Sequence, residues 1–98
     1  MANYMVRVEL FRADGEDYSN LHEKMEAIGL SRTVTFDDGE PYAMPTGTYF
    51  GSSNLELEGL RDKVSSISNP LSPRKAASVF VCRAQEDHQQ WSAYLYRA

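Results

Sequence analysis

The feature that most constrains this chain is a repeated switch in hydrophobic period, from two residues to helical spacing and back. Residues 4–11, Tyr-Met-Val-Arg-Val-Glu-Leu-Phe, alternate, with Tyr4, Val6, Val8 and Leu10 on one side and Met5, Arg7, Glu9 and Phe11 on the other. Period two with β-branched residues predicts a strand with one buried and one mixed face. Asp14-Gly15 marks a turn. Asp17 or Ser19 then caps a helix whose Tyr18, Leu21, Met25 and Ile28 recur at helical spacing. Gly29 follows, where a helix end favours left-handed backbone. Residues 30–36, Leu-Ser-Arg-Thr-Val-Thr-Phe, alternate again and predict a second strand. Asp37-Asp38-Gly39-Glu40-Pro41 is a turn by composition. Tyr42 to Pro45 is open between strand and loop, because Pro45 has no amide hydrogen for a central ladder. Thr46 to Ser52 predicts a third strand, so the long connection before it becomes a hairpin whose tip projects beyond the sheet.

Ser53-Asn-Leu-Glu56 has the spacing of a capping box. Leu57, Leu60, Val64 and Ile67 then predict a second amphipathic helix to about residue 68, stopped by Asn69-Pro70. Asn69 to Lys75 reads as an exposed loop, and residues 76–84 as the fourth strand. The segment from Trp91 to Leu95 reads as a short C-terminal helix or an added edge strand. The order strand, helix, strand, strand, helix, strand is the split βαβ pattern. It predicts an α+β, ferredoxin-like βαββαβ sandwich, one domain over residues 1–98, with a four-stranded antiparallel sheet. Right-handed crossovers place both helices on one face of that sheet. The other face then meets solvent, a second subunit or a ligand. A chain of 98 residues buries about 60–70% of its unfolded surface, enough for one two-layer core without a deep ligand cavity.

Composition narrows the classes further. A net charge of −4 lowers the odds of a general nucleic-acid binder, although a local basic face can act against a mildly acidic whole. One cysteine cannot form an internal disulfide, and Cys82 sits in the apolar run Ala77 to Cys82, where it reads as a core residue. No apolar stretch follows the start and no window approaches a membrane span, so the expectation is a cytoplasmic protein with no membrane partner. One cysteine and two distant histidines supply no zinc ligand set, and no metal or other cofactor is expected. His22 reads as a solvated side chain on the polar flank of the first helix, and His88 as one in a polar loop. Serine-nucleophile and phosphate-loop spacings are absent. Asp14, Glu16 and Asp17 follow the first strand, where carboxylates can hold a divalent ion or accept a proton or, more simply, cap the helix and complement its start.

The uncovered face carries the functional expectation. With Val6, Val8 and Leu10 turned to the helices, Arg7 and Glu9 face outward with Met5 and Phe11. Tyr49 or Phe50, with Thr48, joins them from the third strand, and Arg32 or its neighbouring threonines from the second. Arginine, aromatic and threonine side chains on a sheet can stack bases and hold phosphates. The segment from Thr46 to Gly51 has an aromatic pair, yet lacks the leading basic residue of an RNA-recognition motif. No DNA-specific motif is present. The competing expectation for the same face is a homodimer contact.

Several short stretches resemble the GhoS family. They are Tyr4-Met-Val6 opening an alternating strand, Tyr18-Ser19 opening a helix, Leu30-Ser31 starting a strand, and Asp37-Asp38-Gly39 shortly before a proline. That family comprises antitoxins of type V toxin–antitoxin pairs, endoribonucleases that cleave the messenger of a membrane toxin. Its fold is ferredoxin-like, similar to small CRISPR-associated endoribonuclease-like proteins. The resemblance spans most of the chain in element order and a few dipeptides. It implies a sequence-selective endoribonuclease, metal-independent or without a strong catalytic signature, acting on single-stranded RNA. An aspartate closes the first strand in the CRISPR-associated relatives, and Asp14 lies a little beyond that place here. The expected catalytic residues are therefore Asp14 and Arg32, with Arg7, Lys24, Tyr49 and Phe50 binding RNA. The rival expectation is a non-catalytic, dimeric protein-interaction module.

Overall fold

The computed structural model describes residues 1–84 and 94–98. It is an α+β fold with one four-stranded antiparallel sheet, a separate two-stranded sheet and two helices. In chain order the elements are β1 (Ala2–Glu9), α1 (Gly15–Ala27), β2 (Leu30–Ser31), β3 (Thr33–Thr35), β4 (Pro41–Ala43), β5 (Thr48–Ser53), α2 (Leu57–Ser68) and β6 (Ser78–Ala84), with a 3-10 turn over Asn69–Leu71 after α2. The large sheet has the order β2-β5-β1-β6, and β3 pairs with β4.

The alternation of β1 does what period two requires. Tyr4, Val6 and Val8 are buried, with Leu10 just past the strand, while Arg7 and Glu9 are exposed. Register carries that division across the sheet. Val6 stands opposite Tyr49 on one side and Val81 on the other, whereas Met5 stands between Phe50 and Cys82. Leu21 and Met25 of α1 and Leu60 and Val64 of α2 join Tyr4, Val6, Val8, Leu30 and Tyr49 in one buried cluster, so both helices pack against the Val6 face. The 3-10 turn continues the α2 direction for one more turn, with Pro70 where a missing amide hydrogen is harmless.

Five local expectations are corrected. Helix α1 is capped by Asp14, not Asp17 or Ser19. The Asp17 amide donates to Asp14 Oδ1 at 2.9 Å, and the Asp14 amide donates to Asp17 Oδ2 at 3.2 Å, a reciprocal box. The box expected at Ser53 and Glu56 does not form. Ser53 is still in the ladder opposite Ala2, and its Oγ accepts from the Leu55 amide instead. Helix α2 begins one turn later than that box would start it, with Glu56 at its N-cap and no side-chain cap bond.

The 30–36 run is two short strands. Leu30 and Ser31 pair with β5, the chain bends at Arg32, and residues 33–35 pair with 41–43 as a projecting hairpin. Cys82 is exposed, not buried, because its strand alternates at the sheet edge with Val79 and Val81 turned inward. His22 is half-buried against the core rather than solvated. Residues 91–93 of the expected C-terminal element, and His88, lie outside the described residues; beyond them Arg97 forms an antiparallel bridge to Tyr42.

Candidate nucleic-acid interface

Two clusters carry side chains that the fold does not consume, one on each side of the sheet. The first is the outward face of β5, β1 and β6. Arg7 is level with Phe80 on β6 and with Thr48 on β5, and Met5 lies between Phe50 and Cys82. Phe80 is 61% exposed, Arg7 and Cys82 are exposed, and Phe50 and Met5 are half-buried. A phenylalanine so exposed loses apolar burial that the core would have provided. Thr48, between strands, is buried, and its Oγ1 makes no hydrogen bond among the described residues. Phe11, expected on this face, lies past the end of β1 under the Lys75 ammonium, 4.3 Å from its ring centre.

Charge is distributed unevenly between the two sides. On the outward face Glu9 is the carboxylate of β1 and Arg7 the cation. The other acidic residues of the described segments sit on or beside the helices (Asp14, Glu16, Asp17, Glu23, Glu26, Glu56, Glu58, Asp62) and in the hairpin turn (Asp37, Asp38, Glu40). The net charge of −4 therefore says little about the sheet face. In the hairpin, Asp38 accepts from the Glu40 amide and the Tyr42 hydroxyl, both at 2.9 Å, and these bonds hold its carboxyl below the usual range. The turn chemistry read from Asp37-Asp38-Gly39 thus accounts for those carboxylates, with Gly39 at φ 79°.

The second cluster lies on the helix side at the β2 edge. His22 Nδ1 and the Tyr49 hydroxyl are 2.7 Å apart. The His22 ring lies between Tyr49 and Tyr18, with centroids at 5.7 and 6.4 Å and tilted planes. Burial holds His22 below its ordinary pKa, the Arg32 cation pushes it further down, and Glu26 opposes both. Burial lifts Tyr49 to about 12, against the pull of Arg32. His22 was missed by sequence reasoning, which saw only that it follows Leu21. Its spacing from Tyr18 (four back) and Met25 (three ahead) puts it on the edge of the buried stripe, and that signal was available.

The expected site residues separate accordingly. Arg7 and Phe50 share the outward face, joined there by Phe80, which sequence reasoning did not single out. Tyr49 is turned the other way and fully buried, so its ring is not on the face expected to bind RNA; one residue of register reverses a side chain. Lys24 is exposed on the last turn of α1, on the helix layer opposite Arg7. Asp14 is spent in the α1 cap, about 12 Å along the axis from His22 at 1.5 Å per residue. Arg32 sits at the bend after β2, where its carbonyl accepts from the Met44 amide at 2.7 Å and its charge pulls the pKa of both His22 and Tyr49 down. Among the described residues no three His, Cys, Asp or Glu side chains group as a metal site needs, and no helix is long and apolar enough to cross a membrane. No protein-family model matches this chain, and no curated protein matches its sequence.

Proposed function

We propose that this chain is a ferredoxin-like sandwich that binds single-stranded RNA across the outward face of its large sheet. The observation that carries the reading is Phe80, 61% exposed and paired in register with Arg7. An aromatic ring beside a guanidinium is the combination that stacks a base and holds the neighbouring phosphate. Phe50, on β5 across β1 from Phe80, supplies a second ring on the same face. Support for the ferredoxin-like part is the order β2-β5-β1-β6 with both helices against one face, β3 and β4 being an inserted hairpin.

The resemblance to the GhoS family extends this reading to cleavage in the cytoplasm. The RNA 2′-oxygen attacks the adjacent phosphorus and gives up its proton to water, a 2′,3′-cyclic phosphate forms, and the P–O5′ bond breaks as the 5′-oxygen of the next nucleotide leaves with a proton from water. Arg32 is then the residue that stabilises phosphate charge, because the Asp14 carboxylate is already committed to the helix cap. The test is binding of a fluorescein-labelled A/U-rich oligoribonucleotide. Phe80→Ala and Phe50→Ala should each weaken it about fivefold or more, the loss of one base–aromatic stack. Affinity unchanged in both variants overturns the reading. The rival, a homodimer closing over the same face, predicts a concentration-dependent sedimentation coefficient that Phe80→Ala abolishes, with no RNA bound.

A further inference from the structure

Two loops distant in sequence are tied together at the end of β1, and they gather cations there. The Phe11 amide donates to Ser72 Oγ at 2.8 Å, and the Arg74 amide donates to the Phe11 carbonyl at 3.3 Å. Ser72 is buried, so the first bond is anchored in the fold. The Lys75 ammonium stands 4.3 Å from the centre of the Phe11 ring. Arg12 follows Phe11 directly, so ordinary backbone dimensions bring its Cα within about 8 Å of the Arg74 Cα. Arg12, Arg74 and Lys75 are exposed, and none forms an ion pair among the described residues. Three of the chain's ten lysines and arginines thus meet on one rim of a protein whose net charge is −4.

The carboxylates nearby are placed differently. Asp14 and Asp17 bond each other's amides at the start of α1, where the positive end of the helix meets their charge. Glu9 is exposed on β1, level with Ser78, and is the acidic group between Arg7 and the rim. Arg12 carries a second observation. Its φ is 58°, in the left-handed region that favours glycine. An exposed cation kept in strained backbone, with no ion pair to hold it, is explained by what it meets outside the fold. The rim also continues the outward face. Arg7 is level with Phe80, Glu9 with Ser78, and Phe11 lies four residues beyond Arg7, at most about 14 Å of extended chain.

We infer that Arg12, Arg74 and Lys75 form a second RNA contact, which holds phosphates of the strand whose bases lie on the Phe80–Arg7 row. This rests on the RNA reading above and extends its footprint past the end of β1. A guanidinium offers a phosphate two parallel hydrogen bonds, and the lysine ammonium adds a point charge beside them. Contacts of this kind are indifferent to base identity, so they supply affinity and register rather than sequence preference.

The test is the salt dependence of A/U-rich oligoribonucleotide binding by the full chain. Changing Arg12, Arg74 and Lys75 together to glutamine should lower the slope of log affinity against log salt by about two, since each phosphate contact on a single strand contributes about 0.7. Lys63→Gln, at an exposed position on α2, should leave the slope unchanged. Arg12→Gly should lower it by about 0.7 with a urea midpoint no lower than that of the unaltered protein, because glycine suits the backbone there. A triple variant that keeps the full slope and still binds through Phe80 overturns the rim contact and leaves the RNA reading standing. A slope lowered as much by Lys63→Gln as by a single rim change overturns it as well, in favour of diffuse charge. A lower midpoint in Arg12→Gly assigns Arg12 to the fold and removes it from the contact. No binding by the unaltered chain removes both readings.

Discussion

At the scale of single residues, the His22 ring and the Tyr49 hydroxyl behave as one unit, and pH acts on that unit from both ends. His22 is held below its ordinary value of 6.5, by burial first and Arg32 second. As pH falls below 6.5 the unfolded chain takes up the proton before the folded one. The contribution of His22 is therefore complete above 6.5 and is lost as pH falls through the lower folded value. Tyr49 runs the opposite way. Its pKa rises from 10 to about 12 on burial, so its contribution is complete below 10 and drains away as pH climbs toward 12. Urea unfolding midpoints measured against pH should fall on both sides of that plateau. In Tyr49→Phe the decline between pH 10 and 12 should flatten. An alkaline slope identical to that of the unaltered protein would show that the buried phenol is not its source.

Elements depend on contacts that local pattern does not encode. Strand β5 receives the end of α1 through two glycines. A Cβ at Gly51 would lie 1.9 Å from the Gly29 carbonyl oxygen, and Gly29 itself sits at φ +89°. Without a side chain at 51, the chain leaving α1 settles directly onto β5 and Leu30 reaches its buried place. Gly51→Ala should cost about 3 kcal/mol or more, because the obstructing atom is backbone and cannot rotate away. Chemical denaturation measures it, and a loss under about 1 kcal/mol would show that the β2–β5 approach is looser than described. The helices themselves were legible, since Tyr18, Leu21 and Met25, or Leu60 and Val64, repeat at one spacing whatever lies around them. The break at Arg32 was not, because alternation over 30–36 is the same whether the partner is β5 or 41–43. For the same reason Ser53 looked like a cap from its spacing to Glu56, although the ladder to Ala2 had already claimed it.

For the whole molecule, the relevant quantity is the separation of charge between the two layers. Arg7 lies on the open sheet face, while Lys24 lies on the helix layer among Glu16, Asp17, Glu23 and Glu26. Each phosphate neutralised by the protein releases counterions and steepens the fall of affinity with salt. Arg7→Gln should lower the slope of log affinity against log salt by about one, whereas Lys24→Gln should leave it unchanged. Fluorescence anisotropy over a salt series reads both. A lowered slope in Lys24→Gln with none in Arg7→Gln would place RNA on the helix layer and remove the sheet face as its site.

What the chain's own order of residues determined is which segments become strands and helices, and that Val6 and Arg7 face opposite ways, because periods of two and 3.6 residues are properties of the backbone. It also determined the glycine at 29 and the turn at 37–41, where local conformation is decided by the residue itself. Tertiary structure alone decided that Tyr49 turns inward to His22 while Phe50 turns outward, and that Cys82 and Phe80 are exposed. Each of those depends on register and on which face a helix covers. Both are fixed by pairings between residues distant in sequence, which no short window contains.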